Sequence, residues 1–93
     1  MIKSFANPMT EDIFHGKVVQ GLSIAVQQRA LAKLQLIQAA GDLRDLEAVS
    51  TNRLEVLSGE REGRHCICVD DKGRICFKWR GSHAYDVELF GYH

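Results

Sequence analysis

Surplus charge is missing from this sequence: twelve lysines and arginines stand against twelve aspartates and glutamates in 93 residues. That balance excludes a protein that coats nucleic acid or an anionic membrane by net charge alone. Long apolar runs are missing too, and none approaches the roughly 20 residues that a membrane-spanning helix needs. The opening Met1-Ile2-Lys3-Ser4-Phe5-Ala6 lacks the charged, apolar and small-residue layout of a signal peptide, so a cytosolic protein is expected. Proline occurs once and the eight glycines are scattered, which argues against a disordered or linker-rich chain. Three cysteines cannot all pair within one chain, and Cys66 and Cys68, two apart on a strand, are poor partners for each other. Reduced thiols are therefore expected. The length allows one domain over residues 1–93 whose core buries a little over ~60% of the unfolded surface, with no room for a cofactor domain.

What is present falls into two halves. Ile2 and Phe5 before Asn7-Pro8 suggest a short first strand closed by a turn. Thr10, Glu11 and Asp12 then cap a short helix that runs to about His15 and stops at Gly16. Leu22, Val26, Ala30, Leu34 and Ile37 fall on one stripe at helical spacing, with Gln27, Gln28, Gln35 and Gln38 opposite and Gly41 as the stop. Asp42 can cap a further helix over Leu43 to Glu47. From Asn52 the period changes to two. Strands are expected over 53–57, 64–69, 74–79 and 84–90, with a charged turn at 58–63 and a tight hairpin at Asp70 to Gly73. Ile67, Val69, Ile75, Phe77, Trp79, Tyr85, Val87 and Leu89 mark the face that buries against the long helix. Cys66, Cys68, Arg74, Cys76, Lys78, Asp86 and Glu88 mark the other, which must stay wet or meet a charged partner. The fold class is α+β, with helices on one face of a largely antiparallel four- to five-stranded sheet.

Two constellations on that face could carry chemistry. Cleaving RNA needs a group to take the proton of a 2′-hydroxyl, a cation for the phosphorane oxygens and an acid for the departing oxygen, and no metal. Arg74 offers the planar fork suited to phosphate, His93 titrates near neutrality, Tyr92 can donate or orient, and Lys78 on the same face is a second cation. The bland alternative is a surface Tyr-His pair and an arginine solvated or paired with Glu88. The second constellation, His65, Cys66 and Cys68 with Cys76 nearby, could gather around zinc, although Cys-x-Cys in a strand lacks the paired knuckle of structural zinc sites. No metal is expected.

The run Asn52-Arg53-Leu54-Glu55, Leu57, Gly59, Arg61, Gly63 and Ile67, then Arg74-Ile75-Cys76-Phe77 and Trp79, Asp86-Val87-Glu88 and the closing Tyr92-His93, resembles the HigB-type killer proteins of the RelE toxin superfamily. Met1 to Phe5 and the helix at Thr10 to Phe14 resemble that family's opening. The resemblance implies the RelE-like fold and a toxin of a type II toxin-antitoxin pair, a metal-independent endoribonuclease that cuts mRNA in the ribosomal A site. It implies a HigA-like helix-turn-helix antitoxin as partner, operator DNA reached only through that antitoxin, and no membrane. Arg74, Tyr92 and His93 match the catalytic positions, and Arg53, Glu55, Arg61 and Lys78 are assigned to RNA binding around them. Ser58 stands where the family commonly carries lysine, and Gly73 where it carries tryptophan. The first change removes a cation, for which Lys78 or Arg53 would substitute. The alternative is a catalytically weak or inactive relative that binds RNA and antitoxin.

Overall fold

The computed structural model describes residues 1–56 and 63–92. Three helices, α1 (Pro8–Phe14), α2 (Ile24–Ala39) and α3 (Leu43–Glu47), precede a meander of four strands, β1 (Glu55–Val56), β2 (Arg64–Cys68), β3 (Arg74–Arg80) and β4 (His83–Phe90). The strands lie side by side in chain order and every neighbouring pair is antiparallel. Hairpins join adjacent strands with little loop to close, which is why the order follows the sequence.

The helix caps are local and strong. Asn7 accepts from the Thr10 amide at 2.9 Å and Pro8 occupies the first turn, where its missing N–H costs nothing. Helix α1 thus starts at Pro8 and not at Thr10. Thr10 is buried instead: its hydroxyl donates to Asn7 Oδ1 and accepts from the Leu89 amide, tying the helix to β4. Ser23 caps α2. Asp42 caps α3 as the sequence suggests, and Asp45 completes a capping box with it. A short 3₁₀ turn, Ser50–Asn52, buries Asn52, which donates to the Leu46 carbonyl at 2.8 Å and accepts from Lys33 at 2.6 Å.

Ala30, Leu34 and Ile37 of α2 are fully buried against Ile67, Ile75, Phe77, Val87 and Leu89 from one face of the sheet. Gln27 departs from the expected solvent face. It is buried because its amide satisfies the turn before α2, bonding Val19 N, Val19 O and Leu22 O at 2.8 to 3.0 Å. Tyr85 departs as well. A register shift between Cys76 and Lys78 sets Asp86 at φ 53° and brings Tyr85 opposite Lys78, on the face away from the helices. An extra residue in one strand reverses the alternation beyond it. The expected first strand is reduced to two parallel bridges, Ile2 with Ala84 and Phe5 with Val87.

The cysteines also depart from the expectation of reduced thiols. Cys66 and Cys76 sit directly opposite each other on β2 and β3 and are joined by a disulfide, while Cys68 is free. Directly opposed positions on neighbouring strands set the two Cβ atoms side by side, which is what lets this pair bond. The bond removes Cys66 and Cys76 from the zinc set. Among the described residues, no three histidine, cysteine, aspartate or glutamate side chains gather at one point.

Candidate active site

The sheet face away from the helices carries the polar chemistry. Its rows follow from the register: Glu55, Cys66, Cys76 and Glu88 form one, Cys68, Arg74 and Phe90 the next, and Arg64, Lys78 and Tyr85 a third. Arg74 opens β3 immediately after the hairpin, and its guanidinium reaches diagonally to Glu55 on β1 at 3.7 Å. Both side chains keep over half of their surface in water, 53% and 62%. The pair therefore presents charge to a ligand with little desolvation already spent, and is itself a weak bond.

Beside it lies a cavity of about 210 Å³, lined by Arg53, Glu55, Cys68 and Arg74 and by the hairpin residues Asp70 to Gly73. Arg53 reaches it because the residue after the 3₁₀ turn adopts the left-handed conformation, φ 46°, a cost typically of ~1 kcal/mol or more for a residue with a side chain. Three cations, Arg53, Lys72 and Arg74, and three carboxylates, Glu55, Asp70 and Asp71, thus share this rim. Lys78 does not join them. It sits four residues along β3, ~13 Å at strand rise, and is paired with Asp86 at 3.5 Å. Arg53 and Lys72 are the cations that line the cavity with Arg74. Ser58, Arg61 and His93 lie outside the described residues.

Tyr92 is positioned by two glycines. Gly91 takes φ +100°, and a Cβ there would collide with the backbone of Lys72 and Gly73. A Cβ on Gly73 would collide with the Tyr92 ring itself. Gly91 and Tyr92 therefore lie against the hairpin, with the ring over Gly73. Hence a tryptophan at position 73 is incompatible with this placement of Tyr92. The Tyr92 hydroxyl is buried, has no hydrogen-bond partner among the described residues, and lies against the hairpin that Asp70 closes. Burial first, and then Asp70, push its pKa well above the usual tyrosine range. Tyr92 thus stays protonated at any working pH and can donate or orient, not serve as a base. Asp70 is held below its usual range, chiefly by Tyr92 and then by the Lys72 amide.

The structure brings the expected Arg53, Glu55 and Arg74 to one cavity and sets Tyr92 on the adjoining hairpin, beside Asp70, which the sequence marks only as a turn former. An aspartate two and three residues before unpaired turn amides is a normal hairpin signal, and nothing local distinguishes one that also meets the chain end.

Comparison with known proteins gives the family. A protein from Proteus vulgaris named Endoribonuclease HigB is 31% identical over 93 residues, covering the whole of both chains. The family model for HigB-like toxins, described as the RelE-like toxin of type II toxin-antitoxin system HigB, matches residues 3–93. A match over nearly the full length, on a fold of three helices against a four-stranded antiparallel sheet, leaves one conclusion: the chain belongs to the HigB-like family of RelE-like toxins.

Proposed function

We propose that this toxin is an endoribonuclease that cuts mRNA on the ribosome. The observation that carries the reading is the half-exposed Arg74 and Glu55 pair at the mouth of a cavity that Arg53 also lines, in a chain similar along its whole length to an endoribonuclease. The substrate 2′-oxygen bonds to phosphorus as its proton leaves. The bond from phosphorus to the 5′-oxygen breaks, and that oxygen takes a proton. Arg74 holds the phosphorane oxygens with its two-pronged guanidinium, releasing Glu55 as the phosphate arrives. Arg53 neutralises a neighbouring phosphate. His93 transfers the proton and Tyr92 orients the reacting groups, while Arg61 and Lys78 contact flanking RNA.

Membership of the family gives an antitoxin as partner. It is a HigA-like helix-turn-helix protein, operator DNA is reached only through it, and both act in the cytoplasm. No described helix is long and apolar enough to cross a membrane. Ribosome dependence follows from charge: with zero net charge and Arg74 and Lys78 already paired with carboxylates, few surplus cations remain to grip naked RNA, and the ribosome must supply the positioning.

That same pairing favours a second reading, a relative that binds RNA and antitoxin without cutting. Purified toxin mixed with programmed ribosomes decides between them. The nuclease reading expects cleavage of the A-site codon, poor cleavage of the same RNA free in solution, and a loss of roughly 100-fold on deleting His93, typical of one acid or base group. Binding to ribosomes with intact mRNA would establish the second reading, and efficient cutting of free RNA would remove the ribosome from the mechanism.

A further inference from the structure

Asp70 makes more contacts than its turn requires. One carboxylate oxygen, Oδ1, closes the β2–β3 hairpin by accepting from the Lys72 amide at 2.9 Å and the Gly73 amide at 3.0 Å. The other, Oδ2, points to α2, where Arg29 Nη1 stands 3.8 Å away. The buried Tyr92 hydroxyl lies over Gly73, whose amide this carboxylate holds, and Asp70, Arg29 and Tyr92 line one cavity. Its side chain is only 20% exposed although it belongs to a surface hairpin. One group thus joins three elements: the long helix, the turn that begins the Arg74 strand, and the residue that precedes His93.

The turn explains only part of this. An asparagine accepts the same two amide bonds and closes such a hairpin equally well. What asparagine cannot supply is a full negative charge, which Arg29 faces. Gly73 and Gly91 lack side chains where the ring and the backbone close on this carboxylate. Resting on the nuclease reading above, we propose that Asp70 is a positioning residue for RNA cleavage, fixing the Tyr92 hydroxyl, with Arg29 as the counter-charge that holds the carboxylate in place. Asp70 itself touches no reacting atom.

The test compares Asp70→Asn, Tyr92→Phe and the double variant in single-turnover cleavage on ribosomes. Asp70→Asn, which keeps the turn, is expected to lower the maximal rate at least 10-fold with KM within twofold of wild type. In the Tyr92→Phe background the same change costs less than twofold, because the hydroxyl it positions is gone. An equal loss in both backgrounds overturns the proposal, since Asp70 would then act through the hairpin alone, and so does no loss in either. A second readout is independent of cleavage. With Tyr85→Phe, Tyr92 is the only tyrosine left of two, and alkaline difference absorbance follows it alone. Asp70→Asn should move its ionisation to lower pH, and an unmoved titration overturns the coupling. If wild type cuts no RNA, the nuclease reading fails while this titration still decides whether Asp70 holds Tyr92.

Discussion

Gly73→Ala adds one methyl group, and that methyl would occupy the space of the Tyr92 ring, whose Cε2, Cζ and hydroxyl are its nearest neighbours. The ring belongs to a side chain near the chain end and can swing away more cheaply than the hairpin can move. Releasing a half-buried ring of this kind loses on the order of 1 kcal/mol at ~25 cal/mol per Å². Gly73 lies outside the left-handed region, so alanine fits its backbone and returns ~0.4 to 1 kcal/mol through the unfolded chain. The net change in stability is therefore about zero to 1 kcal/mol, at most a shift of ~8 °C in Tm for a domain of this size. Activity should respond far more. Misplacing a catalytic group by about 1 Å can cost ~100-fold, so cleavage on ribosomes is expected to fall by roughly that factor. Adding Gly73→Ala to Tyr92→Ala should cost nothing more, because both act through one ring. Wild-type cleavage by Gly73→Ala would refute the reasoning outright. A Tm lower by much more than ~8 °C would show that the collision is relieved in the hairpin instead of in the ring.

Arg74→Ala should abolish toxicity in growing cells with less than ~1 kcal/mol of destabilisation in urea melts, since its side chain is half-exposed and weakly paired. Reducing the Cys66–Cys76 bond, or replacing both residues with alanine, opens a loop spanning ten residues of sequence and should cost up to about 2.7 kcal/mol by loop-closure entropy. Melting with and without a thiol reductant checks this, and an unchanged Tm would contradict it. His65 is held below its usual value near 6.5 by burial. The unfolded chain therefore binds the proton first, so stability is full above pH 6.5 and is lost as the pH falls through the interval below it. His65→Leu should flatten that acid slope in Tm measured against pH.

Much of this architecture could be read from the sequence because its signals are local. Asp42 with Asp45, the stripe from Val26 to Ile37 and the alternation from Arg74 to Trp79 each depend on neighbours a few residues away. What could not be read depends on distant partners. Gln27 looked like solvent-facing decoration because its carbonyl and amide partners, Val19 and Leu22, belong to a turn without a pattern of its own. Tyr85 was misplaced by a shift at Asp86, and nothing in the alternating residues marks where a strand takes an extra residue. Cys66 and Cys76 face each other only in the observed register, and slipping by one residue would set Cys66 against Phe77. At the site, Arg74 and Tyr92 were identifiable by type and place, whereas Asp70 revealed its reach only once Arg29 and Tyr92 were seen around it.

The first six residues have a consequence in time. Lys3 and Ala6 donate to the carbonyls of Ala84 and Val87, and Met1 and Ser4 accept from the amides of the same two residues, all at 2.8 to 3.1 Å. These bonds seal the outer edge of β4 with a segment over 80 positions earlier in the chain, the costliest kind of closure in conformational entropy and the slowest to form. A nascent chain still lacking β4 leaves its beginning without a strand to join and the Arg74 strand without one neighbour. The fold is thus completed only after β4 has been made and the first residues have found its edge.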